Sequence, residues 1–290
     1  MSDTGRTDSG RTQRDPAQNA QLALLLEVAG TPKPGNVDRA RNLPGLRFEH
    51  FLAGAVGAGE GLRMAASGDP IGEAFERAVF GMSRQRGGNT QFGALLLLIP
   101  LVRASATDRL SPEGVTEVVR ETTVADAKDF YRAFDHVDVF VDDPPPGADE
   151  LDVREGSAAI DAVEEGALTM YDVLALGADA DDVAREWTTG FERSFWSATA
   201  IDEGRGPLPA RGAATYLALL SRRPDTLVAK KHGPKVARQV MVRAQAAREG
   251  DPELLEAFAD ALVEEGINPG TTADIVAAGL FVALERGASV

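Results

Sequence analysis

Apolar residues recur at intervals of three and four along almost the whole chain; Phe48, Phe51, Leu52, Ala55, Gly59 and Leu62 mark one face of a helix. Such spacing predicts helices over Ala17–Ala29, Arg47–Ala66, Ile71–Ser83, Thr90–Arg103, Pro112–Phe134, Gly156–Glu165, Met170–Leu176, Asp182–Ala200, Ala210–Ser221, Pro234–Glu249, Pro252–Glu265 and Thr272–Arg286. Ser111-Pro112-Glu113 and Asp251-Pro252-Glu253 are helix starts, a capping side chain followed by proline at the first helical position. The one alternating stretch, Val137, Val139 and Val141, ends at Pro144-Pro145-Pro146. A lone short strand has nothing to pair with, so it is expected to be a connector. The expected architecture is all-α: a single multi-helix domain over 20–290, with its site formed by loops at helix ends, after a disordered polar tail over 1–19.

Composition narrows what such a bundle can do. With 43% hydrophobic residues among 290, the chain can bury a sizeable core, and no Pro/Gly/Ser-rich linker divides its middle. Its 45 acidic against 30 basic residues give a formal net charge of -15, which repels nucleic acid and anionic membranes. Only five of the 30 basic residues are lysines, and high acid with little lysine predicts a salt-rich, halophilic cytoplasm. The absence of cysteine excludes disulfides, thiol catalysis and thiolate metal sites. The polar N-terminus lacks the apolar core of a signal peptide, and the longest apolar run, Ala94 to Val102, is too short to span a bilayer. Cytoplasmic residence is therefore expected, with a homodimer left open.

Four segments carry candidate chemistry. In the first, Glu27 to Arg39, Pro32 and Pro34 stiffen the chain around Lys33 and aim its ammonium, which suits a phosphate. Asp38 offers a carboxylate for a metal or a hydroxyl proton, and Arg39 a fork for a second phosphate; the bland alternative is a proline-rich turn with solvated charges. In the second, Gly87-Gly88-Asn89-Thr90-Gln91-Phe92-Gly93-Ala94, two glycines and a cap at Asn89 or Thr90 open an apolar helix whose amides could cradle a phosphate. The alternative is a plain capped helix, and no Walker-type lysine follows.

The third segment, Arg223 to Lys235, holds three of the five lysines, Lys230, Lys231 and Lys235, together with His232 and Asp225. A polyphosphate would explain the clustering, with His232 supplying a proton and Asp225 a metal ligand or base; so would lysines settling helix C-termini. In the fourth, Gly266 to Ile275, Thr271 and Asp274 have capping-box spacing, while Asn268, Gly270 and Asp274 could instead present a helix N-terminus to phosphate.

Taken together and in order, Pro32-Lys33-Pro34-Gly35, Val37-Asp38-Arg39, Gly88-Asn89-Thr90, Gly93, Asn268-Pro269-Gly270 and Ala273-Asp274 resemble the triphosphoribosyl-dephospho-CoA synthase family, from about Gln21 to Leu284. The resemblance implies an all-α enzyme that moves a triphosphoribosyl group from ATP to the ribose 2′-hydroxyl of 3′-dephospho-CoA and releases adenine. It implies Lys33, Arg39, Lys230 and Lys231 on phosphates, Asp38 and Asp274 in metal or base work, Asn89 and Thr90 on the nucleotide, and magnesium with ATP. Where the family shows G-A-H-x-D-M, N-T-H-K-G and D-x-N-x-x-x-R-G-G, this chain has Asn42 to Arg47, Asn89-Thr90-Gln91-Phe92-Gly93 and Asp225 to Gly233. These departures spare the nucleotide-cradling elements and point to a divergent branch whose acceptor is dephospho-CoA or a related nucleotide.

Two other classes compete. A non-catalytic nucleotide-binding regulatory protein fits the loss of His and Lys from the second segment. A metal-dependent hydrolase would draw on Asp126, Asp129, Asp135 and His136, which read equally as an acidic solvated face. The transferase reading requires the four segments to converge on one positively lined cavity.

Overall fold

The computed structural model describes residues 14–141, 143–144 and 146–290. Its α-helices are α1 (Pro16–Ala29), α2 (Phe48–Gly57), α3 (Gly59–Ser67), α4 (Ile71–Met82), α5 (Phe92–Ala106), α6 (Pro112–Arg120), α7 (Val124–Arg132), α8 (Ser157–Glu165), α9 (Met170–Gly177) and α10 (Asp182–Thr188). There follow α11 (Glu192–Glu203), α12 (Leu208–Leu220), α13 (Thr226–His232), α14 (Pro234–Glu249), α15 (Pro252–Glu264) and α16 (Gly270–Glu285). Among the described residues there is no strand, only an isolated bridge between Leu43 and Leu46, so the fold is all-α and the alternating valines lie in irregular chain.

Two helices form the axis of the molecule. Every residue of α16 from Thr271 to Leu284 is buried except Asp274, and α5 buries Ala94 to Val102 without a break. Helices apolar on all sides belong in a core; α1, α11 and α12 pack around α16, and α3, α4 and α6 around α5. Pro100 sits inside α5 without ending it. Trp187 is fully buried and donates its indole N–H to the carbonyl of Leu96, at 3.2 Å, fastening α10 to α5.

Three predicted helices are each split. Arg47–Ala66 breaks at Ala58 into α2 and α3, where α2 crosses α4 so closely that a Cβ on Gly57 would strike Gly81. Pro112–Phe134 breaks because Thr123 starts a new helix with a capping box to Asp126. Asp182–Ala200 breaks at Phe191, whose φ of 59° leaves the helical region. Helix α1 begins at Pro16, capped by Asp15 and Gln18, inside the span read as tail; residues 1–13 of that span lie outside the described residues, as does Pro145 of the triple proline.

Candidate active site

A cavity of about 700 Å³ opens where the C-terminal end of α1, the heads of α5 and α16 and the tail of α13 meet residues 138–141, 143–144 and 146–153. Its wall includes Glu27, Asn36, Asn89, Thr90, Lys230, Asn268, Gly270 and Asp274, so all four segments contribute to it.

The first segment is held against the fourth. Gly35 has φ +74°, and a Cβ there would stand 2.9 Å from Cδ of Pro269 and 3.0 Å from Cβ of Leu262, so only glycine fits this approach. Beside it Asn36 donates from Nδ2 to Oδ1 of Asn268, at 3.1 Å. Behind this seam Lys33 is fully buried and its ammonium donates to Oε1 of Glu27, 6.0 Å below the ring centroid of Tyr216. The tyrosine hydroxyl in turn donates to the carbonyl of Pro34, at 2.8 Å. Lys33 therefore does not reach the cavity; it grips Glu27, which does. Burial pushes the Glu27 carboxyl up and the neighbouring Asp38 adds to this, while Lys33 draws it back down.

Asp38 works on its own loop. Its Oδ2 accepts from Thr31 Oγ1 at 2.9 Å and Lys33 N at 3.0 Å, and its Oδ1 from Ala40 N at 2.7 Å and Arg41 N at 2.8 Å. Four hydrogen bonds fill both oxygens, and Asp38 is absent from the cavity wall. Both oxygens of Asp38 thus clamp its own loop. Arg39 is exposed and outside the wall, while Arg41 binds Asp38, Glu256 and Asp260.

The second and fourth segments meet at a carboxylate. A Cβ built on Gly93 would stand 2.8 Å from Cγ of Asp274 and closer still to its Oδ2, so the carboxylate lies flush on the first turn of α5. There the backbone N–H of Ala94, at the positive end of the helix, favours its ionised form. No capping box joins Asp274 to Thr271, because α16 starts at Gly270 after Pro269; the hydroxyl of Thr226 donates to that of Thr271 at 3.2 Å. Asp274 keeps part of its surface on the cavity while protein encloses it elsewhere. Burial raises its pKa well above the usual range, and the charges of Glu27, Asp225 and Asp181 raise it further against the pull of the Ala94 amide. In the second segment Asn89 caps α5 by accepting from Phe92 N at 3.1 Å.

The third segment is itself a short helix, α13, capped by Asp225, which accepts from Val228 N at 3.0 Å. The other oxygen of Asp225 accepts from the amide and hydroxyl of Thr272, at 2.8 and 2.7 Å. Asp225 thus ties the heads of α13 and α16 together behind the wall. Lys230 reaches the cavity and pairs with Asp181 at 2.6 Å; Lys231 lies in the wall with its ammonium 5.6 Å from the ring centroid of Phe140. His232 is exposed at the end of α13 and outside the wall.

The expected positive lining is also corrected. Seven carboxylates, among them Glu27, Asp179, Asp181 and Asp274, line the cavity against Lys230 and Lys231. A polyphosphate entering this wall needs further positive charge. Among the described residues no three or more acidic or histidine side chains converge as a ready metal cage. The residues of the competing hydrolase do not assemble: Asp126 accepts from Gly72 N at 2.7 Å and serves its own helix cap, Asp129 pairs with Arg132, and His136 with Glu76.

Sequence reasoning missed Glu27 and Gln91. Glu27 stands on an apolar helix face six residues before a proline-flanked lysine, which was a readable sign; Gln91 carried none beyond its departure from the family pattern.

Comparison with known proteins follows this geometry. The family model described as ATP:dephospho-CoA triphosphoribosyl transferase matches residues 13–289. A search of curated proteins finds no match. Among solved structures, the crystal structure of a chain described as a candidate triphosphoribosyl-dephospho-CoA synthase from Archaeoglobus fulgidus superposes with a TM-score of 0.70 at 28% sequence identity, covering 84% of this chain and 100% of that one.

Proposed function

The chain belongs to the ATP:dephospho-CoA triphosphoribosyl transferase family and is a transferase of this kind; we propose that the transfer takes place in the cavity shared by Glu27 and Asp274. The observation that carries this is the placement of both carboxylates, with Asn89, Thr90, Lys230 and Asn268, in one wall drawn from all four segments.

The chemistry assigns work to each end of that wall. The bond from ribose C1′ to adenine N9 breaks, a bond from C1′ to the acceptor 2′-oxygen forms, and the hydroxyl proton must go to a base. Glu27 is that base: Lys33 fixes its position, and a carboxyl raised by burial holds a proton better than an ordinary one. Lys230 and Lys231 neutralise the triphosphate, and Asn89 and Thr90 hold the nucleotide at the head of α5. Magnesium fits as ATP's companion, since it binds one or two carboxylates together with phosphate oxygens rather than a protein cage. Asp274, with Glu27 beside it, would hold the ion, which would supply the positive charge that the acidic wall lacks.

The surroundings follow from charge. Among the described residues no helix is long and apolar enough to cross a membrane. The net charge of -15 disfavours nucleic acid. We read the protein as a cytoplasmic enzyme of a salt-rich cell, with a homodimer left open. In molar KCl its melting temperature is expected to rise; full stability in dilute buffer would contradict the salt reading. Incubation with ATP, magnesium and dephospho-CoA tests the activity: free adenine should appear in step with a heavier acceptor. ATP binding without adenine release would favour the regulatory reading.

A further inference from the structure

The head of α5 holds three polar side-chain atoms that are buried without a hydrogen-bond partner: Oγ1 of Thr90 and both Oε1 and Nε2 of Gln91. Gln91 is only 4% exposed and belongs to the cavity wall. Its backbone is already committed, the N–H lying 3.3 Å from Sδ of Met82. The side chain is turned toward α2, where a Cβ on Gly54 would stand 2.6 Å from Oγ1 of Thr90 and 3.0 Å from Oε1 of Gln91. Buried orphans of this kind are costly, so they ask for a compensating role.

The neighbouring residue fixes where that role lies. Phe92 is buried and packs edge-on against Phe75 with ring centroids 5.1 Å apart and against Phe134 at 5.0 Å, so this turn is anchored in the core. Gln91, one residue before this anchor, is held at the cavity wall. A neutral carboxamide carries one donor group and one acceptor, the set that pairs in two places with the N7 and N6 edge of adenine.

Resting on the transferase reading, we propose that Gln91 is a specificity-determining residue that swings onto the cavity and reads the adenine of the incoming nucleotide. Its Nε2–H donates to N7, and its Oε1 accepts from the 6-amino group. The pairing selects adenine over a 6-oxopurine, which offers an acceptor at both places. Thr90 lends its free hydroxyl at the same end of the cavity.

Equilibrium binding of ATP, inosine triphosphate and 7-deaza-ATP to the full chain tests this. The wild-type protein is expected to bind ATP roughly tenfold or more tightly than either analogue, the range of one two-point base contact. Gln91→Met is expected to bind all three nearly alike, and to melt no lower than wild type because an orphaned amide has been replaced by an apolar chain of similar length. Equal wild-type binding of the three nucleotides overturns the proposal without any variant, as does Gln91→Met that keeps the preference for ATP. Adenine release with dephospho-CoA is followed in parallel: normal release with no base preference removes only the role of Gln91, whereas no release at all removes the transferase reading beneath it.

Discussion

Gly93 and Asp274, 181 positions apart, are in such close contact that the carboxylate occupies the space a side chain at Gly93 would need. A glycine in the first turn of a helix has no local reason to be there, since alanine favours helix more. Its reason is tertiary: it admits a carboxylate to the positive end of α5. Gly93→Ala is expected to push Asp274 off the amide of Ala94, lowering kcat by about a hundredfold, the usual consequence of a 1 Å misplacement. Stability should fall by about 1–3 kcal/mol, as for overpacking elsewhere. Paired kinetics and thermal unfolding check this, and an unaltered kcat would separate Asp274 from the reaction.

Lys33 was expected from sequence to bind ATP directly, so that Lys33→Ala would cripple binding and leave the fold intact. Its burial against Glu27 changes the expectation. Removing one partner of a buried ion pair strands the other charge, at a cost of about 3–5 kcal/mol. Lys33→Ala should therefore unfold at markedly lower urea, and Lys33→Met combined with Glu27→Gln should recover most of the loss. A Lys33→Ala protein of wild-type stability that cannot bind ATP would restore the original expectation.

The raised pKa of Asp274 has a consequence for stability with a definite sign. A carboxyl that holds its proton more tightly folded than unfolded makes the folded state bind more protons, so its contribution falls as pH rises from the ordinary carboxylate range up through the folded value. Asp274→Asn removes that penalty. The variant should be more stable than wild type at neutral pH, on the order of 1 kcal/mol, with the difference closing in acid, and it should be inactive. Unfolding curves at several pH values check this; a less stable variant at neutral pH would mean that the ionised carboxylate is held more favourably than its burial implies.

The helical class and most helix positions were legible because periodicity reports which face is buried. Met170–Gly177, Pro234–Glu249 and Pro252–Glu264 lie within a residue of the predicted spans. The splits at Ala58 and Phe191 were not legible, since they follow from a close crossing and an unusual φ that only packing imposes. Helix α13 was not among the predicted helices because its seven residues, Thr226–His232, carry too little periodicity to register.

The site shows the same division. Residue order along the four segments predicts that Lys33, Asn89, Lys230 and Asp274 gather in one place; Asn89, Lys230 and Asp274 share the cavity wall, whereas Lys33 lies behind it on Glu27. Which member of a segment faces inward was not legible. Asp38 and Asp225 carry the right chemistry but spend it on loop and helix-end amides. Glu27 looked like part of an apolar helix until the buried ammonium of Lys33 was placed beside it.

The most direct test of the account is a single-turnover comparison of wild type and Glu27→Gln with ATP, magnesium and dephospho-CoA, following adenine and the mass of the acceptor. Glu27→Gln, measured beside Glu27→Gln combined with Lys33→Met so that no buried ammonium is left stranded, is expected in both forms to release adenine about 10²–10⁴ times more slowly, the loss typical of a missing general base. Adenine release at the wild-type rate would contradict the account and move the base elsewhere in the wall.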